Sequence, residues 1–381
     1  MYVFKSLVAF LAVGLVAALP HGSHGTHSDI FNHHVRARAL RRTCKPGQVN
    51  NGTEAATPSP AIAQTFAASP SSSVAHTSSS HSASQTHTTS SSADAAAKTP
   101  SSINVHGSLA ALAPLGFENG WSTSSSAPNA LSLSDSTFRP HDKISALPWN
   151  YKNAPDGKLS LVAHYPQGSW NFQGSPLGGL SAYLSGPSGF DFSKAKEVVF
   201  GYSLLFEDGF DFNLGGKLFG LYGGDDGEGA TSCSGGSRND ACFSVRTMFR
   251  PDGAGEIYTY LPPSFSANDR VCNVAPKSDC NPTYGASVGR GAFTFTPGNR
   301  NNIAIRVLLN DAGKENGEIE LFADGKSVIS VDGLVLRQSG KGIFGGIMAQ
   351  TFFGGSNNQW ASPKSQNSYF SDFTVSVTKT L

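Results

Sequence analysis

The chain of 381 residues carries 28 Lys and Arg against 27 Asp and Glu, a balance that excludes recruitment of nucleic acid or an anionic membrane by net charge. Charged residues make up only 14%, while glycine occurs 42 times, phenylalanine 25 times and methionine 3 times, a composition of turns and strands rather than helix bundles. Beyond the N-terminal segment no apolar run approaches the roughly 20 residues that cross a bilayer, which excludes a membrane-spanning mature protein.

Lys5 precedes an apolar run from Leu7 to Ala18 that Leu19-Pro20 closes, the layout of a secretory signal peptide over residues 1–19. A secreted, extracellular protein is expected, and that compartment permits disulfides. Residues 20–107 read as disordered. His21, His24, His27, His33 and His34 form a solvated leader, and Arg41-Arg42 is a candidate processing site. Half of the residues from Ala63 to Ser102 are Ser or Thr. Such a tract buries too little apolar surface to offset its ordering entropy, so it reads as an O-glycosylated linker. Asn51-Gly52-Thr53 makes Asn51 the expected N-glycosylation acceptor.

From Ser108 onward, residues 108–381 have the composition of a packed domain. Short β-rich runs alternate with Gly, Asn, Asp and Pro: 158–164, 197–206, 243–249, 256–261, 293–295, 302–309, 318–323, 327–331, 343–353 and 369–377. Asp324-Gly325 between two of them signals a hairpin. Many strands without helical crossovers predict an all-β, antiparallel two-sheet sandwich, a jelly roll.

The stretch from Phe206 to Gly224 is unusual. Gly215-Gly216 allows close backbone approach, and Lys217 is a lone cation among apolar and aromatic residues. It lacks the spacing of a phosphate-binding loop, which excludes nucleotide binding. Further on, period two along Cys242–Arg250 sends Phe243, Val245 and Phe249 to the core and Ser244, Arg246 and Arg250 to the other face. A turn through Pro251–Gly255 then brings back Glu256, Tyr258 and Tyr260. A five-residue loop pairs Arg250 with Glu256 and Arg246 with Tyr260. A three-residue loop also keeps the even positions on one surface. The same spacing also fits a plain surface hairpin whose tyrosines and arginines only stack.

Cys233, Cys242, Cys272 and Cys280 allow three connectivities, of which Cys233–Cys242 and Cys272–Cys280 close the shortest loops. Cys44 is left over. Neither pair has zinc-knuckle spacing, so no metal is expected. Glu256 and the Glu318/Glu320 pair are the candidates for paired carboxylate chemistry, and Glu318/Glu320 read as an exposed strand face. His141 and His164, the histidines of this region, read as loop or strand residues.

Gly215–Gly224, with Lys217 inside it, resembles a signature of polysaccharide lyase family 14, the alginate and glucuronan lyases. So do Cys233–Gly236, Ser244-x-Arg246-x-Met248-x-Arg250, Gly255-Glu256-x-Tyr258-x-Tyr260 and Tyr284–Gly291. Gln350–Gly355 and Trp360–Pro363 resemble its fungal branch. The resemblance runs from about Asn129 to Val377. It implies a jelly roll whose cleft is crossed by an acidic polysaccharide, cleaved by β-elimination without a cofactor, in a monomer. It places the catalytic set on Lys217, Ser244, Arg246, Tyr258 and Tyr260. Arg250, Arg290 and Gln350 are candidates for outer substrate contacts. Phe219 and Phe249 depart from the family's proline and tryptophan, Phe219 close to the lysine and Phe249 facing the core. A lectin-like jelly roll without catalysis and a glycoside hydrolase are the alternatives. The complete Lys-Ser-Arg-Tyr-Tyr set argues against the first.

Overall fold

The computed structural model describes residues 108–381, so the signal peptide, the His-rich leader, Arg41-Arg42, Cys44, Asn51 and the Ser/Thr-rich linker lie outside the described residues. Sixteen strands follow in chain order. They are β1 (Asn119–Ser122), β2 (Pro140–His141), β3 (Asn150–Asn153), β4 (Leu159–Tyr165), β5 (Leu180–Leu184), β6 (Ala195–Phe206), β7 (Gly216–Gly224) and β8 (Cys242–Phe249). The second half contains β9 (Ala254–Tyr260), β10 (Asp279–Cys280), β11 (Ala286–Thr294), β12 (Arg300–Leu308), β13 (Gly317–Ala323), β14 (Lys326–Leu334), β15 (Ile343–Phe353) and β16 (Gln366–Thr380).

These strands form two antiparallel eight-stranded sheets. One runs β14-β13-β12-β6-β16-β4-β3, with β1 paired to β16; the other runs β10-β11-β9-β8-β7-β15-β5-β2. Between them lies a core of aromatic and branched side chains: Phe200, Tyr202, Phe206 and Phe370 from the first sheet, Leu218, Phe243, Val245, Phe249 and Ile257 from the second. The odd positions of β8 thus face the first sheet, as period two requires. Thr247 even reaches across the sandwich, its hydroxyl 2.6 Å from that of Tyr202.

Phe219 is fully buried in this core and stacks on Phe370 at 4.1 Å between ring centroids. Its departure from proline therefore acts on packing between the sheets and not on the face that carries the lysine. Asp324 and Gly325 close the β13–β14 hairpin with φ of 49° and 78°, the positive pair that a two-residue turn with right-handed strand twist demands.

Two disulfides join Cys233 to Cys242 and Cys272 to Cys280, with sequence separations of 9 and 8. The second bridge ties a 3-10 segment, Ser266–Asn273, to the edge strand β10. Replacing Cys272 and Cys280 together by alanine should lower the unfolding free energy by about 2–3 kcal/mol, the range for short closed loops. Turnover should be retained, because neither cysteine lies on β7, β8 or β9, the strands that carry Lys217, Arg246, Tyr258 and Tyr260. Urea denaturation together with initial-rate assays checks both halves.

Candidate active site

The outward face of the second sheet gathers the predicted residues in rows. Arg246 on β8 lies opposite Tyr258 on β9, and Ser244 opposite Tyr260. The Arg246 row continues through Gly220 on β7, Met348 on β15 and Tyr183 on β5, and on the other side to Ser287 on β11. The adjacent row holds Phe352, Lys217, Met248 and Glu256.

The register corrects the five-residue hairpin loop. Pro251–Gly253 closes it in three residues, with Asp252 and Gly253 at φ of 60° and 76° and the Arg250 N–H donating to Ala254 O at 2.8 Å. Every pairing slides by two, so parity survives and the even side chains stay together. Arg250 and Glu256 are not cross-strand partners. They still meet, through side chains.

Lys217 reaches this face by an irregularity. Gly220 and Tyr222 face the site, and strict alternation would turn Lys217 to the opposite side. The ladder with β8 shifts register between Lys217 and Gly220, however, and the extra residue restores Lys217 to the site while both Leu218 and Phe219 enter the core. Gly220 is obligatory for a second reason: a Cβ there would stand 2.0 Å from Val245 O and 2.5 Å from the Arg246 Cα.

The Lys217 ammonium nitrogen sits 4.3 Å from the centroid of the Tyr258 ring and 5.6 Å from that of Phe352. Burial, with the positive charges of Arg246 and Arg250, pulls its pKa down to about 7. Arg246 is 2% exposed, donates from Nε to Leu218 O at 3.0 Å and from Nη2 to Gln350 O at 2.6 Å. Burial pulls its pKa down to about 10. No carboxylate pairs with it among the described residues. Tyr258 and Tyr260 are buried, hydrogen-bonded to one another, and held above the ordinary phenol range chiefly by that burial. Both keep their protons at neutral pH. Their rings meet edge to face at 5.9 Å, packed with Cys233, Cys242, Met248 and Trp360 in a small cluster apart from the main core.

Glu256 lies beneath this cluster, wholly buried. Its Oε1 accepts from Arg250 Nε at 2.8 Å and pairs with Arg250 Nη2 at 2.6 Å. Its Oε2 accepts from Arg290 Nε at 2.8 Å and from the Ser287 hydroxyl at 2.5 Å. Arg250 and Arg290, expected at outer subsites, are therefore committed to a protein carboxylate, and Arg250 lies between the rings of Tyr258 and Trp360 at 5.9 and 5.6 Å. Gln350 is buried and contributes its main-chain carbonyl to Arg246, which makes it a support for that arginine.

Two residues that sequence reasoning assigned no role contribute here. Phe352 forms an aromatic wall for both Lys217 and Arg246, whose guanidinium carbon is 5.7 Å from its ring centroid. Gly285 lies so close to the phenols that a Cβ would stand 2.7 Å from Tyr260 Cε2 and 2.8 Å from Tyr258 Cε1. The only sequence signal for either was membership in a glycine-aromatic motif.

Glu318 and Glu320 belong to the other sheet, where both pair with Arg306, as does Glu197. That is a partly shielded ion network rather than a bare exposed face. His141 and His164 are surface residues bonded to Asp142 and Asn367. With Glu256 neutralised by two arginines, the site presents no pair of free carboxylates for glycoside hydrolysis.

The sequence profile of polysaccharide lyase 14 matches residues 153–373. No curated protein matches the sequence. Among solved structures, the marine PL-14 alginate lyase from Aplysia kurodai is 33% identical with a TM-score of 0.54, over 60% of this chain and 87% of that one. The alginate lyase vAL-1 from Chlorella virus is 23% identical with a TM-score of 0.50, over 61% of this chain and 90% of that one, a likeness of fold.

Proposed function

The chain belongs to the polysaccharide lyase 14 family, and on that premise we propose that it cleaves glucuronan or alginate within the chain by β-elimination. The observation that carries this reading is a buried guanidinium, Arg246, without a protein carboxylate, beside an amine whose pKa is pulled to about 7. A uronate supplies the missing anion. Arg246 pairs with the C6 carboxylate, which spreads the charge that develops when C5 loses its proton. The neutral Lys217 amine takes that proton. The electron pair left at C5 forms the C4–C5 double bond as the C4–O4 bond breaks, and the Tyr258 phenol protonates O4. Lys217, now cationic, rests over the Tyr258 ring before releasing its proton to solvent.

Incubation with a panel of polyuronates, read by the absorbance of the new double bond, tests the reaction. New reducing ends without that absorbance would identify a hydrolase instead. Tyr258→Phe keeps the ring and removes one proton, so turnover should fall by about 10²-fold or more with the melting temperature nearly unchanged. Near-normal turnover in a folded Tyr258→Phe protein removes this residue from the role of acid.

The Gln350–Gly355 and Trp360–Pro363 motifs support placement in the fungal branch. Two disulfides support a secreted enzyme, and no described helix is long and apolar enough to cross a membrane. We assign the lyase domain to residues 108–381, behind a cleaved signal and a glycosylated linker, and take it to act as a monomer.

A further inference from the structure

The family resemblance places Ser244 in the catalytic set, yet its side chain is fully buried and its hydroxyl donates to the Cys233 carbonyl at 2.7 Å. Cys233 opens the loop that its bridge to Cys242 closes. Three residues on, the Gly236 N–H donates to the Tyr260 hydroxyl oxygen at 3.0 Å. Gly235 and Gly236 have φ of 60° and 87°, a left-handed pair that aims this N–H inward and that side chains resist. A second backbone hydrogen bond, from Gly285, reaches the same oxygen, and the Tyr258 hydroxyl is its third neighbour. Among the described residues no backbone N–H donates to the Tyr258 oxygen.

Resting on the lyase reading of the site, we propose that the disulfide-closed loop stabilises a Tyr260 phenolate during turnover, and that Ser244 is a positioning residue that holds the loop and does not touch the substrate. When Tyr258 has given its proton to O4, the Tyr260 O–H bond breaks, its proton forms the new Tyr258 O–H bond, and the negative charge settles on the Tyr260 oxygen. There the Gly236 and Gly285 N–H groups receive it without reorganisation. Water returns a proton to Tyr260 as Lys217 releases one, so the enzyme ends as it began. Burial raises both phenols, and the backbone hydrogen bonds to Tyr260 act against it there, which favours the charge on Tyr260.

The test compares the full chain with Ser244→Ala, the Cys233→Ala/Cys242→Ala pair, and the combination of all three. Each is assayed for kcat and KM on the polyuronate cleaved. Tyr260 is titrated by NMR of carbon-labelled tyrosine, its resonance assigned by its loss in Tyr260→Phe. Releasing the loop should lower kcat about tenfold or more while KM stays within about twofold, and should move the Tyr260 titration to higher pH. Ser244→Ala should show the same pattern more weakly, and should add nothing once the bridge is gone. A Ser244→Ala variant that raises KM at constant kcat would place the hydroxyl on the substrate and overturn the proposal. So would a Tyr260 titration that stays put when the loop is released. Ser244→Ala retains the bridge, so it carries both readouts if the cysteine pair fails to fold. If the unmodified chain forms no double-bond product, the lyase reading fails, while the titration still decides whether the loop steadies the phenolate.

Discussion

Replacing Lys217 by methionine is expected to abolish polyuronate cleavage while making the protein more stable. Methionine fills a similar volume, and its thioether is content against the rings of Tyr258 and Phe352. Removing the amine deletes the proposed base, so turnover should fall by about 10³-fold, within the range for acid–base residues. The stability gain follows from the pKa pulled from 10.5 to about 7. Between those values the unfolded chain binds a proton that the folded chain does not, so the stability of the native enzyme rises with pH through this window. Below it, the folded state carries the cost of holding an ammonium in a partly buried site. The methionine variant should therefore gain most below neutral pH, by about 2 °C or more in Tm, and progressively less toward alkaline pH. The native rate should climb through about pH 7 as the amine loses its proton. It should not fall again until strongly alkaline pH, because burial keeps the phenols protonated. Thermal melts and pH–rate profiles check each part. A Lys217→Met enzyme that still cleaves would remove the lysine from the mechanism.

Glu256→Gln should instead unfold the site from below. The substitution preserves shape but leaves the buried Arg250 and the partly exposed Arg290 without their counter-charge, a loss of about 3–5 kcal/mol. Glu320→Gln is the matched control, since Glu320 shares Arg306 with Glu197 and Glu318 at a wetter position on the other sheet. Its loss should stay within about 1 kcal/mol. Urea denaturation of both variants gives the comparison, and equal losses would show that Glu256 has no special structural weight. Because Arg250 packs on Tyr258 and Trp360, the folded fraction of Glu256→Gln should also turn over more slowly.

Much of the site was legible in the sequence. Along Cys242–Phe249 the strand period is two, so Ser244 and Arg246 had to share a face opposite Phe243 and Val245. Any odd hairpin loop then carried Tyr258 and Tyr260 to the same surface. Asp324-Gly325 and the two short cysteine loops are equally local, with partners a few residues apart and turn chemistry that names itself. Lys217 stood out as a lone cation among apolar and aromatic residues, but only the family motif gave it a role. Its strand is buried on both faces and therefore shows no alternation, and the bulge before Gly220 reverses the parity on which such reasoning depends.

What only the tertiary structure decided is which polar groups are already spoken for. Glu256 meets Arg290 across 34 positions and Arg246 meets Gln350 across 104. The Ser244 hydroxyl turns to a loop carbonyl rather than to the cleft. Residue type sets what a side chain can bond, but the sheet order sets what it meets. For this protein the first was enough to bring an arginine and two tyrosines to one face, and the irregularity in β7 added the lysine. The second left Arg246 unpaired while tying up Arg250 and Arg290, because only packing decides where a buried charge finds its counter-charge.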